Sequence, residues 1–256
     1  MRLLETSPAD IAPSSSKFVL SLAKTAEEVR EVQRLRYRVF IEDMGLSALA
    51  NAERLDRDEF DEYCEHLIVR DADTLKVVGT YRVLSPQAAR RIGRYYSEQE
   101  FDLARLAHLR TRMAEAGRAC IDPAYRTGAV IMMLWSGLAG FMKKENCEYL
   151  IGCASLSLSD GGQNAGAIYH LLIQSNAAPP EYQVRPRLAF PIDERAAQRR
   201  AFIPPLIKGY MRSGAWVCGE PAWDPDFNSA DLFLLLPLAK LDSRYARHYF
   251  MEQREQ

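Results

Sequence analysis

The stretch Met113-Ala-Glu-Ala-Gly-Arg-Ala-Cys-Ile121, closed by Asp122-Pro123, constrains this chain more than any other. Its apolar pattern reads as a strand that Asp-Pro terminates, and the apolar run of residues 128–144 reads as a long helix behind it. Glu115 stands inside the strand, three residues before Arg118. Strand side chains alternate, so these two point to opposite faces unless a bulge intervenes. An unpaired buried carboxylate is costly, so an acid in such a strand needs a purpose. Removing a proton from an amine is one purpose, and it suits a carboxylate with a tuned pKa.

The remaining chain supplies a sheet around that strand. Phe18–Lys24 alternates as a strand, and Thr25 is an N-cap ahead of Glu27, Glu28 and the apolar positions Val29, Val32, Leu35, Val39 and Phe40. That helix is expected to end near Gly45. His66–Asp71 and Lys76–Leu84 read as antiparallel strands joined by a turn at Asp71–Thr74. Residues 87–110 read as helices, with Ser97–Leu109 as one amphipathic piece. Glu148–Leu156 reads as a strand, and Ala165–Ser175 and Ile203–Arg212 as helices. Trp216–Ala222 with Leu232–Leu236 reads as a final hairpin, followed by a helical tail, Asp242–Gln256. Residues 1–16, rich in Ser, Pro and Ala, are expected to form a disordered arm, and residues 17–256 a single domain. The order describes an α/β (α+β) layer fold: a mixed, mostly antiparallel central sheet flanked by helices, with a C-terminal helical extension.

A formal net charge of -1 over 256 residues points to no nucleic-acid partner. Five cysteines without a CxxC pair argue for free thiols and against a disulfide frame or zinc cage. The four histidines are scattered, so no metal is expected. Asp224, Asp226 and Asp231 read as turn and cap residues rather than a calcium loop, and Cys120 as a core residue. No run reads as a secretory signal or a membrane span, so the expectation is a cytoplasmic protein, with peripheral contact at the inner membrane as its only membrane option. A pore former is disfavoured for the same reasons.

The element order resembles the GNAT acyltransferases. Leu35–Phe40 with Gly45-Leu46, the acidic Asp58-Glu-Phe-Asp61, Arg82 after Gly79-Thr-Tyr81, and the Glu115/Arg118 pair are similar, in order, to motifs of acyl-homoserine-lactone synthases. A sister family is closer. Arg34–Gly45, Asp58–Val69, Gly79–Leu84, Gly117–Arg126, Pro204–Leu238 and Ser243–Phe250 together resemble the L-ornithine N-α-acyltransferases, some of which are labelled hemolysin-like. The resemblance implies transfer of a long-chain 3-hydroxyacyl group from acyl carrier protein to the α-amino group of L-ornithine, giving lyso-ornithine lipid. It implies no resident cofactor, because phosphopantetheine arrives on the carrier. Other options are a long-chain N-acyl amino acid synthase with another acceptor, a lactone synthase, or a membrane-active protein without turnover.

Each implied site residue carries a plainer alternative. Glu115 is either the general base, directly or through a water, or a brace paired with Arg82 or Arg118. Arg36, Arg82 and Arg118 either bind the ornithine carboxylate or neutralise the acidic motif. Asp58 and Asp61 either hold the side-chain ammonium of ornithine or cap the next element. The helix start at Thr127-Gly128, with Arg126, either receives the pantetheine phosphate or only packs. Met132, Met133 and Trp135 line an acyl channel or belong to the core. The basic residues Arg90, Arg91, Arg94, Lys143, Lys144, Arg195, Arg199 and Arg200 dock an acidic carrier or form a solvated face.

Overall fold

Two strands of this chain are buried at every position, which only a sheet covered on both faces allows. In a computed structural model the described residues are 17–241; the expected arm at 1–16 and the helical extension at 242–256 lie outside them. The elements are β1 (Phe18–Leu22), α1 (Ala26–Tyr37), β2 (Glu65–Asp71), β3 (Val77–Leu84), α2 (Pro86–Ile92), β4 (Phe101–Asp102), β5 (Met113–Ile121) and α3 (Ala129–Lys144). After them come β6 (Tyr149–Ser157), α4 (Gln163–Asn176), β7 (Arg185–Pro186), α5 (Pro205–Arg212), β8 (Trp216–Val217), β9 (Ala222–Asp224) and β10 (Ser229–Pro237).

The main sheet runs β1-β2-β3-β5-β6-β10-β8, with β9 also on β10. Only the β5–β6 contact is parallel among its pairings. One face packs Val69, Val83 and Ala114 against α3, α4 and α5 through Leu134, Ile168 and Ile207. The other packs Ile68 and Cys120 against Val32 and Leu35 of α1, and Ile151, Phe233 and Leu235 against Leu103, Leu106 and Leu109.

Local chemistry sets the element ends. Thr25 and Glu28 form a reciprocal capping box that starts α1. A π-helical turn, Arg38–Asp43, extends α1 until Gly45 at φ +79° ends it. Two expectations fail for identifiable reasons. Ser97–Leu109 is not one helix: 3-10 turns at Tyr96–Gln99 and Ala104–Leu109 flank β4, and Leu103, Leu106 and Leu109 recur at the three-residue period of a 3-10 turn. The final hairpin is instead β8 and β9, both paired to β10. The segment between them contains Pro221, which has no N–H to give a ladder, while the Cys218 carbonyl accepts from Val184 N–H at 2.7 Å.

Two irregularities shape the centre. On β5, Arg82 faces Gly117 but Thr80 faces Cys120, so Arg118 and Ala119 both lie opposite Tyr81. Arg118 adopts φ +52°, the left-handed residue of this bulge. Beyond Glu115↔Ile151 the β5–β6 register stops and the strands part. At the parting point a Cβ on Gly152 would stand 2.3 Å from the Ala116 carbonyl oxygen. We expect Gly152→Ala to lower stability by about 1–3 kcal/mol, the range for overpacking a close contact, measured as a reduced urea midpoint; an unchanged midpoint would mean the strands can part differently.

Candidate active site

The acidic motif and the arginines meet in one buried cluster. Arg36, fully buried on α1, donates from Nε to Asp56 at 2.7 Å and from Nη1 and Nη2 to Asp61 at 2.9 and 2.8 Å. Arg82 of β3 donates to Asp58 at 2.5 Å and Asp61 at 2.8 Å. Arg118 lies 3.4 Å from Asp58 and 3.6 Å from Asp56. Three guanidiniums therefore face three carboxylates, and the cluster neutralises itself. Burial pushes the Asp61 carboxyl up, but the hydrogen bonds and charges of Arg36 and Arg82 overcome this and hold it well below the usual range. Asp58 also caps its own turn through Phe60 N–H at 2.9 Å. Asp58 and Asp61 thus take the capping and ion-pair arrangement, and Arg36 is sealed behind them.

Glu115 lies beside this cluster. The bulge at Arg118 turns that side chain to the same face as Glu115, Arg82 and Cys120. Glu115 is 4% exposed and makes no direct ion pair with either arginine among the described residues. Its Oε2 accepts from Tyr96 N–H at 2.5 Å, and its Oε1 from Ser97 N–H at 2.8 Å and from the Ser97 hydroxyl. Burial raises its pKa; the hydrogen bonds from Ser97 and Tyr96 and the charge of Arg82 oppose that rise. The Arg118 and Arg82 guanidiniums lie 5.0 and 5.3 Å from the Tyr96 ring centre. The result is a fixed, desolvated carboxyl group flanked by positive charge.

A cavity of about 650 Å³ occupies the gap between β5 and β6. Strand alternation gives it two linings. Leu150, Leu206, Ile207, Leu234, Tyr81 and Tyr210 belong to the α3 face, where the two tyrosine hydroxyls bond to each other. Glu115, Arg82, Arg118, Tyr96, Cys153 and Asp231 line the opposite side. The gap therefore joins an apolar lining on one face of the sheet to a charged lining on the other.

The other sequence candidates lie elsewhere. Arg126 bonds Asp43 at 2.6 Å and the Ile121 carbonyl at 3.3 Å. Gly128, at φ +89°, opens α3 without a side-chain cap, and neither it nor Thr127 lines the cavity. Met132 points outward, and Trp135 packs on Tyr210 at 5.1 Å. Asp224 accepts from Asp226 and Phe227 N–H in a turn, as its neighbourhood implied. Asp231 does not: it is 4% exposed within β10. Sequence reasoning missed it, along with Tyr96, Ser97, Tyr81 and Tyr210. The signal for Asp231 was the same as for Glu115, an acid inside an apolar strand. We expect Arg36→Met to cost about 3–5 kcal/mol, because it strands buried carboxylates, read as a lower urea midpoint at neutral pH. The folded Asp61 pKa lies below its ordinary 3.8, so the pairing stabilises above that value and is lost as pH falls through the folded one. The gap between variant and wild type should therefore close in acid; a gap that persists there would exclude the ion pairs as its cause.

Comparison with known proteins agrees with this geometry. Residues 35–136 match the model of an acetyltransferase (GNAT) domain. The chain is 34% identical to an L-ornithine N(α)-acyltransferase of Rhodobacter capsulatus, over 93% of this chain and 97% of that one. It is 35% identical to the one of Agrobacterium fabrum, over 89% and 83%. Two solved structures share the fold: TofI in a ternary complex with an inhibitor and MTA (TM-score 0.50, 13% identity, 91% and 96% covered) and the AHL synthase LasI (TM-score 0.50, 10% identity, 91% and 95% covered). A mixed sheet parted at one parallel pair, a buried carboxylate at the parting, and these relatives lead to one conclusion: the chain is an N-acyltransferase that belongs to the L-ornithine N(α)-acyltransferase family.

Proposed function

We propose that this enzyme transfers a long-chain 3-hydroxyacyl group from acyl carrier protein to the α-amino group of L-ornithine, giving lyso-ornithine lipid as the first step of ornithine-lipid synthesis. The position of Glu115 carries the reading: it stands at the wall of a cavity with an apolar lining on one side and a charged lining on the other. The names of the relatives support ornithine as acceptor. The short turn Tyr125–Ala129 supports a carrier-borne donor. Arg126, now paired with Asp43, and the first N–H groups of α3, which have no side-chain cap, suit the single phosphodiester of pantetheine, and no resident cofactor is called for.

In this reading the thioester enters between β5 and β6. Glu115 takes one proton from the α-ammonium, directly or through a water, and releases it to solvent. The freed amine bonds the thioester carbon, and main-chain N–H groups beyond the last β5–β6 pair face the oxyanion. The C–S bond breaks, and the second amine proton leaves with the thiolate. Arg118 receives the ornithine carboxylate; its contacts to Asp56 and Asp58 are the longest in the cluster, which leaves it donors to spare. Arg82 holds Asp58 and Asp61 in place and adds positive charge beside Glu115.

The two tyrosines support a hydroxylated chain. Each hydroxyl carries a proton, and a bonded pair shares only one, so the other proton needs an acceptor in an otherwise apolar lining. The 3-hydroxyl supplies it. Leu188 and Phe202 are exposed, with Arg200 stacked 5.5 Å from the Phe202 ring, which suits peripheral contact with the cytoplasmic side of an anionic inner membrane. No helix among the described residues is long and apolar enough to cross one.

Expression in a host without ornithine lipids, read by lipid mass spectrometry, should yield 3-hydroxyacyl-ornithine; a different amino-acid headgroup would replace ornithine in the proposal. Glu115→Gln should keep the fold and cut turnover at least about a hundredfold, with loss of the acidic limb of the rate profile; near-normal turnover would remove Glu115 from the mechanism. Tyr210→Phe should lower kcat/KM for a 3-hydroxyacyl donor about tenfold while leaving the unsubstituted donor nearly unchanged; equal losses for both would assign the tyrosines to packing.

A further inference from the structure

The cavity contains negative charge that the cluster of arginines leaves unmatched. Asp231, 4% exposed, lines the cavity and accepts from the hydroxyls of Ser155 at 3.2 Å and Ser229 at 2.7 Å, with the Glu100 carboxyl as its third polar neighbour. Glu100 stands beside it: their carboxylates and the Cys153 thiol lie within 4.8 Å of one another. Oε2 of Glu100 is out of contact with solvent and has no hydrogen-bond partner among the described residues. No lysine, arginine or histidine among the described residues pairs with either acid. The nearby guanidiniums of Arg36, Arg82 and Arg118 are all turned to Asp56, Asp58 and Asp61. Burial first, and then the charges of Asp231 and Asp224, push the Glu100 carboxyl up to about 9. Asp231 is likewise raised by burial. Both shifts share one cause, two acids buried side by side with no cation facing them among the described residues.

A buried charge without a counter-ion is unfavourable unless something supplies the counter-ion. Its place in the fold says what. Glu100 directly follows the 3-10 turn Tyr96–Gln99, whose Ser97 holds Glu115. The Ser97 hydroxyl lies 3.3 Å from Cys153 Sγ, and Cys153 adjoins both acids. One short turn therefore presents the proton acceptor at one end and the acid pair at the other, with one serine and one cysteine between them. We infer that Glu100 and Asp231 form the subsite for a second, side-chain ammonium of the acyl acceptor, making them the determinants that select a diamino acid over a neutral one. This rests on the proposed reaction and moves recognition of that ammonium from Asp58 and Asp61, whose charges are consumed, to β10 and the turn after residue 99. With its α-amine at Glu115 and its carboxylate at Arg118, a short methylene chain passes Ser97 and Cys153, and its terminal ammonium replaces the missing cation.

The test compares L-ornithine with L-norvaline, which lacks the terminal ammonium, using the full-length enzyme and 3-hydroxyacyl carrier protein. Wild type should prefer ornithine, and Asp231→Asn should lower kcat/KM for ornithine about a hundredfold, mainly through KM, while norvaline is used as before or better. Glu100→Gln, at a less buried position, should shift the preference the same way, and retained norvaline turnover reports that each variant is folded. A wild-type preference that survives both substitutions overturns the inference and leaves the reaction intact. Wild type that acylates neither acceptor overturns the reaction itself and the inference with it. Activity that a chelator abolishes and a divalent metal restores would assign Glu100, Cys153 and Asp231 to a metal instead, and would also overturn it.

Discussion

The β5–β6 contact holds for three residue pairs and then fails, and the rest of the molecule is arranged around that failure. A parallel pair in the middle of an otherwise antiparallel sheet has no hairpin to keep its strands together beyond the point where packing stops doing so. Gly152 under the Ala116 carbonyl marks that point. Because the gap lies inside the sheet rather than at its edge, it connects two environments that strand alternation keeps separate. Leu150 and Leu234 line it from one face, and Glu115 and Arg82 from the other. The proposed transfer of a long acyl group to a charged amino acid uses that adjacency, and a continuous sheet would deny it.

Charge on the polar side is divided into two kinds. Arg36, Arg82 and Arg118 with Asp56, Asp58 and Asp61 are matched among themselves and tie α1, the segment carrying Asp56–Asp61 and the sheet together. Such a cluster contributes orientation more than net stability, since desolvation offsets most of its attraction. Glu115 is oriented differently, by main-chain N–H groups and a hydroxyl rather than by a cation. A direct guanidinium contact would have depressed its pKa. Dipoles hold it in place while burial keeps its proton affinity up.

How much of this was readable in the chain depends on how local each cause is. The bounds of β5, the Thr25 cap and the end at Gly45 follow from neighbouring residues, and they stand where the pattern put them. Glu115 was visible because a carboxylate in an apolar strand is a chemical anomaly. Its relation to Arg118 was not, because the bulge is defined by the register of β5 against β3, and alternation alone left both outcomes open. Asp58 and Asp61 were recognisable as a motif, but whether they met arginine or substrate depended on Arg36 and Arg82, which reach them from other elements of the fold. Asp231 carried the same anomaly as Glu115 and was obscured by Asp224 and Asp226, which do belong to a turn. Tyr81 and Tyr210 are 129 residues apart and have no local signature. The segment around Ser97 departs from the expected helix because its apolar residues recur every three residues, a spacing close enough to the helical one to resemble it.

The extra residue in β5 also limits how this strand can change length. Glu115 faces Leu84 before the bulge and Cys120 faces Thr80 after it, each pair on the same side of the sheet. Loss of a single residue between them would restore regular pairing with β3, yet it would leave the guanidinium now at position 118 with no place on the acid-bearing side. Insertions and deletions that surface loops accept freely should therefore be scarce between Gly117 and Cys120, and when a change of length does occur there, the chemistry of the cleft should change with it.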